Sequence, residues 1–186
     1  GDARFFVNAR DPRTQDMIAS VDPTQVVYFE SGDVSGHEES IPLTLEGDFN
    51  RANIAAARAI ALREGISEEE FFSVLAEFPG IPGRMQFIAR EPFRAIVDYA
   101  HTPDSLRAVY AHLRGALSDG GRLVCVLGSA GGGRDTWKRA AFGALAGQLC
   151  DVVFITNEDP YDESPRAIME QIYEGIDEGH RSKAVI

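Results

Sequence analysis

The sequence predicts an α/β protein whose later half is a mostly parallel sheet with helices on both faces. Two near-continuous apolar runs carry the strand signal, residues 122–127 (RLVCVL) and 152–156 (VVFIT). Parallel strands buried on both sides read this way, without polar alternation. Amphipathic stretches separate the runs in a strand, helix, strand, helix rhythm. The third observation is the position of the polar loops. Each follows a strand and precedes a helix, the edge at which such sheets bind ligands.

The elements follow in order. Residues 4–8 (RFFVN) form a short strand, 12–20 a helix and 25–29 (QVVYF) a second strand. Residues 31–40, with Gly32 and Gly36, read as a loop or hairpin, and 41–45 as a further strand. From Asn50 the pattern turns helical. Ile54, Ala57 and Ala61 follow an i, i+3, i+7 stripe, and Gly65 ends it. Ser67 with Glu70 three residues on is a capping box for a helix running to Phe78. The turn-formers of 79–83 (PGIPG) mark a domain boundary, dividing the chain into 1–80 and 81–186. Beyond it come a strand at 93–99 and a helix at 103–117, with Thr102 as cap and Pro103 at its first position. The strand at 122–127, a helix at 135–149 and the strand at 152–156 follow. Ser164-Pro165 opens a helix to Ile176, and the closing KAVI reads as the start of another strand. Both chain ends read as cuts, so the expectation is a fragment.

Composition bounds the function. The chain has 186 residues, 44% hydrophobic and 25% charged, which is that of an ordinary soluble globular protein. A net charge of -11 argues against bulk nucleic-acid or anionic-membrane binding, though not against a nucleotide. No apolar run reaches membrane-spanning length and no signal peptide is present. Cys125 and Cys150 read as reduced thiols of a cytoplasmic protein, not as a disulfide framework or a zinc site.

Three loops are placed to do chemistry. In 98–104, Asp98 suits two ribose hydroxyls, and equally the capping of a helix. His101 is a polar contact to phosphate or base, or a helix-start residue without a partner. The glycine-rich stretch 128–135 (GSAGGGRD) points to close backbone approach to an anion. It matches neither the dinucleotide nor the P-loop fingerprint. Arg134 suits bidentate carboxylate or phosphate binding. Lys138 and Arg139 sit on a first helical turn, where cations oppose the helix dipole. That placement points to a nearby anion, or to a solvated basic patch. The acidic loop 157–163 (NEDPYDE) suits an amine or a metal, or is a solvated loop with Asx turns.

VDYAHTPDSL (97–106), GSAGGGRDTWKR (128–139) and TNEDPYDESP (156–165), in this order, resemble the C-terminal domain of the Mur ligase family, in its MurE-like tripeptide synthetase branch. GDFNRANIAA (47–56) is similar to the segment ending the family's central ATPase domain. IPGRM (81–85) is similar to its domain-joining segment. The resemblance implies a Rossmann-like, mostly parallel sheet with helices on both faces, preceded by an α/β remnant of the central domain. It implies an ATP-dependent amide ligase acting through an acyl phosphate in peptidoglycan synthesis, with ATP and Mg2+, a UDP-MurNAc-dipeptide and an amino acid as partners. By motif position, Asn53 would contact adenine, Arg84 the phosphates and Asp98 the ribose, with His101 and Thr102 beside the nucleotide. Arg134 would hold the incoming amino acid's carboxylate. Asp159 and Tyr161 lie where diaminopimelate-adding members carry Asn and Arg, which favours lysine or another diamine over diaminopimelate. The P-loop lysine and the Mg2+ ligands belong outside this stretch, so these residues alone are expected to be inactive. The readings set against this one are a folylpolyglutamate or cyanophycin synthetase-like ligase, a nicotinamide-dependent oxidoreductase, and a scaffold domain.

Overall fold

Phe5–Asn8 (β1) and Val26–Phe29 (β2) pair in parallel, with Phe5 opposite Val26 and Asn8 opposite Phe29. The structure is a computed structural model and describes residues 3–133 and 135–186. It divides into two compact units, Gly1–Asp98 and Tyr99–Ile186. The turn-rich segment 79–83 falls inside the first.

In the first unit the predicted helix at 12–20 shrinks to Thr14–Met17 (α1). The strand expected at 41–45 is absent. Pro42 fixes φ near -66° and has no amide for a sheet, and Leu43–Leu45 closes as a 3-10 turn through Leu45 N–H to Pro42 O, 2.8 Å. Asp48–Arg63 (α2) buries Asn50, Ile54 and Ala55, whereas Ala57 of the expected stripe is exposed. Ser67 caps Glu68–Ala76 (α3) by accepting from Glu70 N at 3.2 Å. Arg58 joins the two helices through Glu68 at 2.7 Å. Val34, Leu45, Ile54, Ala55, Phe72 and Leu75 form the core.

The strand expected at 93–99 is Ala95–Val97 (β4). It pairs antiparallel with a strand the sequence did not announce, Gln86–Ala89 (β3). The turn before β3 has Pro82 and then Gly83 at φ 72°, and closes through Arg84 N–H to Ile81 O at 3.0 Å. Proline then glycine with positive φ is the type II pattern.

The second unit is a three-stranded parallel sheet. Pro103–Gly115 (α4), Val124–Leu127 (β5), Trp137–Leu149 (α5), Val152–Ile155 (β6), Pro165–Glu174 (α6) and Ala184–Val185 (β7) follow one another, and the sheet order is β5-β6-β7. The α/β class, the parallel sheet and the KAVI strand are as expected. Burial alternates along the strands: Cys125, Leu127, Val153 and Ile155 are buried, while Val124, Val126 and Phe154 are exposed. Gly143 and Gly175 let α5 and α6 meet closely, because a Cβ at either would overlap the carbonyl of Ile172 or of Ala140. At the amino ends of β5 and β6, Asp151 accepts from Arg114 Nη1 at 2.8 Å and from Leu123 N at 2.7 Å. Those bonds, the guanidinium first, hold its carboxyl below the usual range. Cys125 and Cys150 are buried and unbridged.

Candidate functional site

The carboxyl ends of β5 and β6 carry the two loops that the structure brings together. Thr156 N donates to Leu127 O at 2.9 Å, so the two strands leave the sheet side by side. Residues 128–133 then lie directly on the acidic loop. Gly131 N donates to Asp159 O at 2.8 Å, and a Cβ at Gly131 would overlap the Pro160 carbonyl. Gly128 is as constrained, with Thr156 O only 2.8 Å from where its Cβ would stand. Glycine is required at both places by close backbone approach.

The expected anion is part of the chain itself. Glu163 Oε1 accepts from Gly133 N at 2.8 Å. Its two oxygens also meet the fork of Arg139 end-on, Oε2 with Nη1 at 2.8 Å and Oε1 with Nη2 at 2.9 Å. Arg139 is 1% exposed and spends its other bonds on Gln171 Oε1 of α6, 2.7 Å, and Ala130 O, 3.1 Å. The Arg139 guanidinium, then the Gly133 amide, press the Glu163 carboxyl down from 4.5 to about 2. The unfavourable cation at the start of α5 thus has its counter-charge 24 residues further along the chain, on the next loop. Sequence reasoning flagged the cation and missed Glu163 as its partner, because the pairing depends on β5 and β6 being neighbours. The amides of Gly131 and Gly133 are consumed internally. They are committed before any dinucleotide phosphate arrives, which removes the footing of the oxidoreductase reading.

On the rim of this pair of loops, Glu158, Asp159 and Asp162 are exposed. Tyr161, with φ 52° and 75% exposure, stands over Gly132. Arg134 lies outside the described residues.

The remaining candidates belong to other segments of the chain. Thr102 caps α4 in a reciprocal box, accepting from Ser105 N at 3.3 Å while Ser105 Oγ accepts from Thr102 N at 3.1 Å. His101 Nδ1 is 3.1 Å from Tyr99 O. A carbonyl only accepts, so Nδ1 carries the proton, and in the neutral ring Nε2 is then an acceptor. Asp98, Arg84 and Asn53 belong to the first unit. Asp98 Oδ2 accepts from Met85 N at 2.8 Å, fixing a buried methionine held at φ 46°. Arg84 is exposed beside that turn, and Asn53 is exposed on α2. Asn50, the other asparagine of that motif, is buried and donates to Glu46 O at 2.9 Å. Among the described residues no three His, Cys, Asp or Glu side chains are grouped to hold a metal ion. No described helix is long and apolar enough to cross a membrane.

A family model described as Mur ligase, glutamate ligase domain, matches residues 83–185, the stretch that holds both loops. The chain belongs to the Mur ligase family. It is 40% identical over 152 residues to UDP-N-acetylmuramoyl-L-alanyl-D-glutamate--2,6-diaminopimelate ligase of Thermosynechococcus vestitus, covering 76% of this chain and 30% of that protein. It is 42% identical over 136 residues to UDP-N-acetylmuramyl-tripeptide synthetase of a Roseiflexus species, covering 73% and 26%. The solved structure of MurF from Acinetobacter baumannii shares the fold, with a TM-score of 0.69 at 22% identity over 97% of this chain and 41% of that one. The chain spans less than half the length of the curated relatives it matches.

Proposed function

We infer that this chain is the amino-acid-selecting part of an ATP-dependent peptide ligase of cell-wall synthesis, working in the cytoplasm. The observation that carries the reading is the welded pair of loops at the carboxyl ends of β5 and β6, inside the matched family region. In the reaction, a carboxylate of UDP-N-acetylmuramoyl-L-alanyl-D-glutamate takes the γ-phosphoryl group of ATP and ADP leaves. The amine nitrogen of the incoming amino acid attacks the activated carbonyl, phosphate leaves, and the amine gives up a proton. Such chemistry needs positioning and charge neutralisation more than covalent help from the protein.

We assign Arg134 to the amino acid's carboxylate, and Asp159 and Tyr161 to its side chain. Asn53, Arg84, Asp98, His101 and Thr102 are assigned to the nucleotide. The ribose assignment of Asp98 rests on its place at the end of β4, where an acid in nucleotide-binding α/β folds meets sugar hydroxyls. Thr102 and His101 act through the backbone shape they impose at the start of α4. Mg2+, whose role is to offset phosphate charge, is assigned to residues outside this stretch. Residues 81–186 are the proposed C-terminal domain, and 1–80 the end of the ATP-binding domain.

For the amino acid we favour lysine or another diamine, although the Thermosynechococcus relative is named for 2,6-diaminopimelate. The exposed rim offers Glu158, Asp159, Asp162 and the neutral phenol of Tyr161. Carboxylates attract an ammonium group and repel a second substrate carboxylate. Amino-acid-dependent ADP release by the full-length protein tests this. Lysine should be used with a kcat/KM at least ten-fold above that of diaminopimelate. The reverse order would overturn the diamine assignment. No dependence on either, with glutamate active on a folate acceptor, would overturn the cell-wall reading.

A further inference from the structure

Three consecutive glycines, Gly131, Gly132 and Gly133, form the part of the loop nearest the acidic rim. Such a stretch has more backbone freedom than any other sequence, and ordering it costs conformational entropy. It is nonetheless pinned at three places. Gly131 N is on Asp159 O, Gly133 N is on Glu163 Oε1, and Ala130 O accepts from Arg139 Nη2. The last two bonds share one ion pair. Arg139 extends it to Gln171 on α6, so a single guanidinium and a single carboxylate join α5, α6 and both loops.

We propose that the Arg139–Glu163 pair is the positioning device of the amino-acid pocket: it holds the glycine loop in its binding shape and withdraws Glu163 from the acids that face the substrate. The proposal rests on reading these loops as that pocket. Neither residue touches substrate. Their effect is preorganisation, because a loop already ordered asks no ordering cost of the ligand, and an unlocked one does. The consequence is selective. Unlocking weakens the amino acid and leaves the nucleotide, whose assigned contacts lie on other segments.

The test uses the full-length ligase with Glu163→Gln and Arg139→Lys. The amide keeps an oxygen for Gly133 N but loses the charge; the ammonium keeps the charge but loses the fork. KM for the amino acid should rise at least ten-fold in both, with KM for ATP and for the UDP-linked acceptor within two-fold of wild type. Hydrogen exchange of a peptide spanning 128–140 should quicken in the unliganded variants while peptides from α2 and α3 keep their rates. An unchanged amino-acid KM in either variant overturns the proposal. So does a parallel rise in the KM for ATP, or a collapse of thermal stability in both variants, which would make the pair a structural strut. Wild-type enzyme that releases ADP without regard to the amino acid would remove the pocket reading and this proposal with it. Wild-type dependence with indifferent variants would remove this proposal alone.

Discussion

Gly131 has no room for a side chain, since its Cβ would fall on the Pro160 carbonyl. Gly131→Ala should therefore push the two loops apart, break the Gly131–Asp159 bond and raise the amino-acid KM of the full-length enzyme several-fold. Gly133 has open space at the Cβ position, but its φ of 69° disfavours any side chain. Glu163 makes a separate prediction in acid. Its folded value of about 2 lies below the ordinary 4.5, so its stabilising contribution is fully present above pH 4.5 and is lost as the pH falls through about 2. The difference in melting temperature between wild type and Glu163→Gln should be constant from pH 7 to 5 and shrink steadily below that. Parallel curves down to pH 2 would show that the carboxylate is not held as described. Some of this was readable in the sequence and some was not. The glycines pointed to a close anion, and Lys138 and Arg139 to a nearby anion or a solvated basic patch; Gly133 and Arg139 meet Glu163. That each answers the other through Glu163 required knowing that β5 and β6 adjoin. Asp98 was readable as a strand-end acid. Its bond to Met85 N was not, because that depends on the hairpin of β3 and β4.

At the level of elements, periodicity located α2 to α6 and β5 to β7, since each has a cap, a proline or a sustained apolar run. It failed where local chemistry outweighed pattern. Pro42 turned a β-like run into a 3-10 turn, and β3 is too short and mixed to stand out from its surroundings. The α5–α6 contact was also silent in sequence, because a helical glycine reads as a weakness. Here it is a requirement. Replacing a mid-helix glycine by alanine ordinarily gains about 1 kcal/mol. At Gly143 the added methyl overlaps the Ile172 carbonyl, and overpacking of that kind costs about 1–3 kcal/mol. Gly143→Ala should lower the urea midpoint of unfolding. Gly115→Ala, at the end of α4 with open space around it, should leave the midpoint unchanged or raise it. Equal effects at the two sites would refute the close helix contact.

Across the whole chain, two features compete. The apolar runs that predicted strands covered on both sides leave Val124, Val126, Phe154 and Val185 exposed, Val126 at 68%. Alternate residues of parallel strands share a face, and Phe154 is registered beside Val126 and Val185, so these side chains form a contiguous apolar strip. Contiguous strips of this sort drive association. Against it stands a net charge of -11, with 29 acidic and 18 basic residues, which keeps copies apart in dilute salt. Salt weakens only the second effect, since the screening length falls from about 10 Å at 0.1 M to about 3 Å at 1 M while hydrophobic contact persists. The 186-residue chain should therefore sediment as smaller species at 0.05 M NaCl than at 1 M, with dye binding to apolar surface falling as association rises. Phe154→Lys places a charge in the middle of the strip and should abolish the salt-driven association, with some loss of melting temperature because Phe154 is only 42% exposed. Association that persists in Phe154→Lys would mean that another surface is responsible and that the strip is inert.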